Sequence, residues 1–446
     1  MAKSSKRSTP VRRQPPDMNG SVSNNRPSVA PMPTLSGESI ICISWLNWDW
    51  LPLVPQQMMT RFAKHNRVLY VDPAIALTTF IAHPAQASFL AGKLKRWMRG
   101  VRQVAENLYV YYPPPLLVTP GHLPANDALN RRWLGWAVRR TAARLGFHNP
   151  ILWLYDPYII EPHGQFGEKL VCYDCNDDTS SFASLDYKRR NMQAMDASLA
   201  RRADLVLVTS RELYRQKRAL NEHVHHLPSG ADFDLFNRAV SAEVSAPDDL
   251  AGISSPVVGY VGALTNYRIE WGWIEALAQN MPEVTIVLVG PPVEPPPRSA
   301  TRLANVRFIG PKPPSELPRY LKLFDVGIIP YKGEEFLRGC QPTKTFEYLA
   351  AGLGVVSAPI PELVPFAEVV RFAANATEFV HQTREMLKIV KGSEFRSRCI
   401  EIARGQTWDA RIEAASELVR ASLARKAGVA TIPIKPSESR QDPQPL

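Results

Sequence analysis

No run in this 446-residue sequence approaches the roughly 18–20 consecutive apolar residues of a membrane-spanning helix. The basic N-terminus has no apolar core of the secretory type, so it does not read as an export signal. Cysteine is scarce and odd in number: Cys42, Cys172, Cys175, Cys340 and Cys399. That excludes a disulfide scaffold and fits a reducing cytoplasm. The pair Cys172/Cys175 forms a C-x-x-C, but no second Cys/His pair stands at zinc spacing, so neither a metal nor a redox role is expected of it. Glycine is sparse against proline, 24 to 40. There is no G-x-G-x-x-G and no Walker A sequence, which argues against dinucleotide-dependent and kinase-like chemistry. Acidic residues are outnumbered by basic ones, 42 to 53, for a net charge of +11. Residues 1–36 hold +5 of that charge and residues 424–446 hold +2, so the body is only mildly basic. Zinc-finger spacing and aromatic–basic RNA signatures are lacking, and nucleic acid is not expected as a partner. Attraction of the tails to an anionic membrane surface is the better use of their charge, set against plain solvation. The expected location is the cytoplasm, with peripheral attachment to the inner face of the membrane left open.

With 45% hydrophobic and 21% charged residues, the chain has the composition of a globular protein too long for one core. Residues 1–38 form a basic Pro/Ser-rich tail expected to be disordered. Residues 39–238 read as one Rossmann-like domain. SIICISWL is its first strand, a helix covers about 56–65, and RVLYVDP brings a second strand, a βαβ opening. Residues 74–105 read as helical with an amphipathic basic stretch at 93–102, residues 130–145 as an Arg-rich amphipathic helix, and ILWLYDP and LVCYD as buried strands. Residues 239–255, small and polar, read as a linker. A second α/β array occupies 256–404, a further helix spans 405–425 and is expected to pack back on the first domain, and 426–446 is a Pro-rich tail. The expected fold is α/β, two doubly wound Rossmann-like domains facing each other across a cleft.

Two segments of the first domain carry candidate chemistry. In open α/β sheets, ligands bind beyond the C-terminal ends of strands. The long aromatic loop after the first strand therefore makes Asn47, Trp48 and Asp49 acceptor-side candidates, against the alternative of aromatic packing. Asp174, Asp177 and Asp178 cluster past the strand LVCYD. They suit a divalent-metal site of the D-x-D kind, acceptors for sugar hydroxyls, or loop and helix-cap chemistry with Asp178 or Thr179 as N-cap.

The second domain is organised around QPTKTFEYLAAG, residues 341–352. Pro342 suits a helix start, Gly352 the left-handed position just past a helix end, and Phe346, Leu349 and Ala350 recur at helical spacing. Lys344 and Glu347, three apart, share a face. A helix N-terminus with a cation and a carboxylate can hold a phosphorylated polyol; a surface helix with an i,i+3 ion pair is the plainer alternative.

VGYVGALTNYRIEW (258–271), TIVLVGP (285–291), NVRFIGPKPPSELPRYLKLFDVGIIPY (305–331) and PTKTFEYLAAGLGVVSAP (342–359), with RVLYVDP, LVCYDCNDDTSSF, ADLVLVTS and LPSGADFDLF before them, resemble a known family. It is the GT-B-fold glycosyltransferases, in particular retaining family 4 and its relatives in bacterial polysaccharide and teichuronic-acid synthesis. The resemblance spans roughly residues 39–425 and is stronger in the second domain. It implies a donor site for a nucleotide-diphosphate-sugar, used as substrate without a cofactor or metal. Glu347 would accept hydrogen bonds from ribose hydroxyls, and Pro342, Thr343 and Lys344 would face the diphosphate, with Gly262 and Arg268 completing the donor set. Arg268 and Lys344 would stabilise the leaving diphosphate, as a catalytic pair. The acceptor, a glycan or lipid-linked sugar, would dock on the first domain. Two departures from the family pattern stand out: Ala263 replaces an arginine of the diphosphate-binding pair, and Gly339 replaces a glutamate, a loss for which Glu334, Glu335 or Arg338 are candidate substitutes. A nucleotide-sugar epimerase, a non-catalytic nucleotide-sugar or glycan binder, and a metal-dependent transferase using the Asp cluster are the rival readings.

Overall fold

The computed structural model describes residues 34–74, 87–116, 124–157, 164–178, 186–253 and 256–428. Thr179 and the N-terminal tail lie outside them. Fourteen strands occur among the described residues. The first eight are β1 (Ser39–Ile43), β2 (Arg67–Val71), β3 (Val101–Ala105), β4 (Leu108–Tyr111), β5 (Ile151–Leu154), β6 (Leu170–Cys175), β7 (Leu205–Val208) and β8 (Val224–His226). They form a sheet of order β3-β4-β2-β1-β5-β6-β7-β8, parallel except for the antiparallel edge pair β3/β4. The second sheet holds β9 (Val257–Val261), β10 (Thr285–Val289), β11 (Val306–Gly310), β12 (Val326–Ile329), β13 (Gly354–Ser357) and β14 (Val370–Phe372) in the order β11-β10-β9-β12-β13-β14.

The strands are continuous apolar runs because both faces of each sheet are covered. Along β1, Ile40 and Cys42 enter one core layer while Ile41 and Ile43 enter the opposite one. β6 divides Leu170 and Cys172 from Val171, Tyr173 and Cys175 in the same way. This two-residue period puts Cys172 and Cys175 on opposite faces, so their C-x-x-C spacing makes no pair; both are buried free thiols.

Two readings of local structure, the helix through 74–105 and the helix start at Pro342, need correction. The helix expected through 74–105 is, where described, a helix Ala87–Arg99 followed by strand β3. Gly100, at φ +67°, ends the helix, and Val101–Ala105 then pairs with β4 instead of extending the basic face. The stretch read as a linker is packed where described. Leu250 is buried, Tyr320 donates to Asp249 at 2.8 Å, and Lys312 pairs with the same carboxylate at 2.7 Å, fastening the segment to the second sheet's helices. The helix of the 341–352 stretch begins at Lys344, two residues after Pro342.

The long helix Trp408–Lys426, N-capped by Thr407, packs on the first sheet. Trp408, Ile412, Ala415 and Val419 recur at three- and four-residue spacing and join the core layer of Ile40, Phe62 and Trp153. Truncating Trp408 to alanine there would cost about 3–5 kcal/mol. Just upstream, Ala231 donates to Gln406 O at 2.9 Å and Trp408 donates to Ala231 O at 3.2 Å. Gly230 is obligatory in this contact, because a Cβ would run into the Thr407 carbonyl group.

Candidate functional site

Strand order locates the crevice before any side chain is considered. In the first sheet the order reverses between β1 and β5, and in the second between β9 and β12. Loops at such switch points diverge and leave a cleft at the strand C-terminal ends. Asn47–Asp49 follow β1, Gly262–Arg268 follow β9, and the segment to Lys344 follows β12.

The β9 turn is built by glycine. Gly262 has φ +144° and Gly290, after β10, has φ +149°; a Cβ on Gly290 would collide with the Gly262 carbonyl. A Cβ on Gly262 would stand 2.7 Å from Lys344 Nζ, so the bare backbone lets the ammonium reach the turn. Lys344 is buried, and its Nζ lies 3.9 Å from the Tyr260 ring centre and 4.9 Å from that of Tyr331. This aromatic cradle offsets part of the cost of desolvating the charge. The surface ion pair considered for this helix is absent among the described contacts: the helix is buried, and Lys344 turns to the two tyrosines.

Helix Lys344–Ala350 is pinned on several sides. Tyr348 Oη accepts the Val261 amide at 2.8 Å, and its ring fills the space that Gly327 leaves. Asn237 Nδ2 donates to Ala350 O at 2.8 Å, and Gly352, at φ +75°, closes the C-terminal end against Arg396. Glu347 is thereby held half-buried, with its carboxylate making no hydrogen bond to the described residues. Burial drives its pKa up to about 7, Lys344 opposing and Asp232 adding to the rise. Asp232 caps the helix Phe233–Asn237 and pairs with Arg61 at 3.4 Å.

At Arg268 charges of the two domains come together. Its guanidinium lies 4.9 Å from the Phe336 ring centre and 5.5 Å from that of Tyr267. Burial works against its charge, but Asp177 and neighbouring groups outweigh that and leave its pKa raised. Asp177, from the end of β6, answers in kind. Burial raises its carboxyl, Arg268 draws it back down, and Asp178 pushes it up again. Cys340 sits among these groups, its thiol pushed up by burial and by Asp177, against the fields of Arg268 and Lys344. The Gly339 position faces Asp178: a Cβ on Gly339 would lie 3.9 Å from Asp178 Cβ. Of the candidate substitutes for a glutamate there, Glu335 pairs with Arg189 at 3.4 Å and Glu334 with Arg338 at 3.6 Å, both solvent-exposed.

Asp174 does not belong to this group. It is fully buried, bonded to Arg411 at 2.9 Å, and accepts from Trp153 Nε1 at 3.3 Å. Its side chain points to the face of β6 that the C-terminal helix covers, whereas Asp177 and Asp178 lie past the strand's end, so the acidic cluster is split. Asp49 is occupied by Arg102 at 2.6 Å and accepts from Tyr112 Oη at 3.2 Å. Trp48 packs edge-on against Tyr70 at 5.0 Å, and its amide donates to Asp72. Asn47 keeps a buried Oδ1 without a hydrogen-bond partner among the described residues, and so does Asn176 at the end of β6. No group of three or more metal-ligating side chains occurs among the described residues.

Sequence reasoning missed Tyr260, Tyr331 and Asn176, and held Asp232 only within the motif LPSGADFDLF. Tyr331 alone left a signal, as the residue ending the strand motif GIIPY at a switch point.

Residues 255–388 match the family Glycosyl transferases group 1. TuaH of Bacillus subtilis (strain 168), named as a glycosyltransferase of teichuronic acid biosynthesis, is 28% identical over 258 residues, 54% of this chain and 64% of that protein. This chain therefore spans just under two thirds of that relative's length. The sucrose-phosphate synthase of Thermosynechococcus elongatus superposes with a TM-score of 0.59 at 16% identity, over 87% of this chain and 100% of the other. Anabaena Alr3699/HepE, solved with UDP and glucose, gives 0.58 at 15%, over 86% and 99%. WaaG, a glycosyltransferase involved in lipopolysaccharide biosynthesis, gives 0.57 at 13%, over 85% and 99%.

Proposed function

We propose that this chain, which shares the fold of its structural neighbours and matches the group 1 glycosyl transferases over residues 255–388, moves a sugar from a nucleotide-diphosphate-sugar to a glycan or lipid-linked acceptor in polysaccharide biosynthesis, with retention. The observation that carries this reading is the convergence of Lys344 and Arg268 at the β9/β12 switch point, beside the open carboxylate of Glu347. As the bond from sugar to diphosphate lengthens, negative charge grows on the leaving phosphate. A buried lysine and a half-buried arginine there would favour that state over the ground state, and in a desolvated site such charge placement is the strongest lever available. Glu347 is the group for the ribose hydroxyls, because a carboxylate accepts two adjacent donors at once. With Ala263 in place of an arginine, the diphosphate would depend on Arg268 and Lys344 alone.

On the acceptor side, Asp177 and Asp178, just past the end of β6, are the carboxylates we assign to the crevice. Asp178 occupies the space beside Gly339, and it is the carboxylate best placed to hold a hydroxyl of the transferred sugar. The unsatisfied Asn47 and Asn176 carbonyl oxygens offer acceptor-side hydrogen-bond sites. The test has two stages. A thermal-shift panel of nucleotide-sugars identifies the donor, since a ligand that binds only the folded state raises its stability. Release of nucleoside diphosphate is then measured with and without extracted glycan or lipid-linked acceptor. Release only when acceptor is present supports transfer. Turnover of the donor without acceptor supports the epimerase, and binding without any turnover supports the non-catalytic binder.

A further inference from the structure

The helix Pro124–Arg144 buries one side and leaves the other bare. Leu134, Val138 and Ala142 pack into the core layer that holds Ile41, Leu69 and Leu152. On the opposite side Leu129 is 52% exposed, Trp133 38% and Trp136 47%, with Arg132, Arg139 and Arg140 exposed among them. Positions 129, 132, 133, 136, 139 and 140 follow helical spacing, so they make one continuous stripe. The two indoles stack, with centroids 5.3 Å apart and planes at 16°, and the Arg140 guanidinium lies 5.8 Å from the Trp136 ring centre. Residues 128–144 contain no Asp or Glu.

Two stacked tryptophans on an open helix face are costly in water and mark an interaction surface. Their chemistry selects the partner. Indole combines a flat apolar body with a polar edge and suits the boundary between lipid headgroups and acyl chains. Arginines interleaved on the same stripe suit lipid phosphates, and the lack of carboxylates removes repulsion from an anionic surface. A two-fold contact between copies of this chain would set these arginines against each other, which disfavours self-association. We propose that this face of helix Pro124–Arg144 docks on an anionic lipid surface, with Trp133 and Trp136 entering the headgroup boundary and Arg132, Arg139 and Arg140 on lipid phosphates. The docking is independent of the sugar-transfer chemistry.

The test is flotation of the full-length chain with vesicles of phosphatidylcholine alone and of phosphatidylcholine with phosphatidylglycerol. Binding is expected only to the anionic vesicles, and it should weaken as salt is raised. The double variant R139Q/R140Q should bind about thirty-fold more weakly, following from about 1 kcal/mol per basic residue at a charged surface. W133A/W136A should lose both binding and quenching of tryptophan fluorescence by brominated lipid. Thermal unfolding unchanged from wild type in both variants shows that the fold is intact, and a conservative pair, W133F/W136F, should restore most of the binding. Vesicle binding that survives both substitutions, equal binding to neutral vesicles, or no binding to either overturns the proposal. Retention by RNA or polyglutamate but not by vesicles likewise overturns it and assigns the face to another partner.

Discussion

Glutamine at position 347 should make the free protein more stable above neutral pH and make it bind the donor worse. The carboxyl of Glu347 titrates at about 7 because burial outweighs the nearby Lys344, while an unfolded chain would ionise it near 4.5. A carboxyl whose pKa is higher in the folded state stabilises the fold at low pH, and that contribution is lost as pH rises from the unfolded towards the folded value. A shift of about two and a half units corresponds to about 3 kcal/mol, reduced by the solvent that reaches a half-buried group. E347Q should therefore raise the unfolding midpoint at pH 8 and leave it nearly unchanged at pH 4. Donor binding runs the other way. If the ionised carboxylate receives the ribose hydroxyls, only that fraction of the protein binds well: about one part in eleven at pH 6 and ten in eleven at pH 8. Affinity for a nucleotide-sugar, whose bridging diphosphate does not titrate in this window, should then rise about tenfold from pH 6 to pH 8, or about 1.4 kcal/mol. E347A should lose about 1–3 kcal/mol at pH 8, and E347Q should give a flat pH profile. Calorimetry at pH 6, 7 and 8, with unfolding curves on the same samples, measures both effects. An unchanged affinity in E347A, or a tenfold pH dependence that persists in E347Q, would refute the placement of the donor at this residue.

Three other outcomes follow from the same geometry. Replacing Arg411 by methionine leaves Asp174 charged and unpaired in the core, so urea unfolding should show a loss of about 3–5 kcal/mol, with donor affinity per folded molecule unchanged. D178N should lower the rate of transfer at least tenfold while leaving affinity for the bare nucleoside diphosphate alone; an unaltered rate would remove Asp178 from the site. Transfer should persist in EDTA, and its loss, with recovery on adding a divalent cation, would return Asp177 and Asp178 to the metal-binding reading.

The α/β class, the two-domain division of motifs and the short helix of the 341–352 stretch were legible because they rest on local chemistry. Apolar runs such as TIVLVG and GVVS announce strands buried on both faces, and Gly352 announces a helix end, because each pattern is set by backbone sterics and burial within a few residues. The placing of Lys344 and Glu347 on one short helix was legible by the same means, whereas the donor roles given to them and to Arg268 come from the family resemblance and remain a proposal. Partners could not be read in that way. Asp174 and Asp177 lie three residues apart, yet Asp174, within β6, turns to Arg411 in the core while Asp177, two residues past the strand's end, faces Arg268 in the crevice. Lys344 looked paired with Glu347 three residues on, but Tyr260 and Tyr331, from two other strand ends, enclose it instead. Gly339 read as a lost carboxylate, and only the approach of the two domains puts Asp178 opposite it, a residue 161 positions earlier in the chain. Periodicity determined which segments are strands and helices. Which charges meet depends on sheet order and domain closure, which bring distant segments within a few ångströms and which no local pattern encodes.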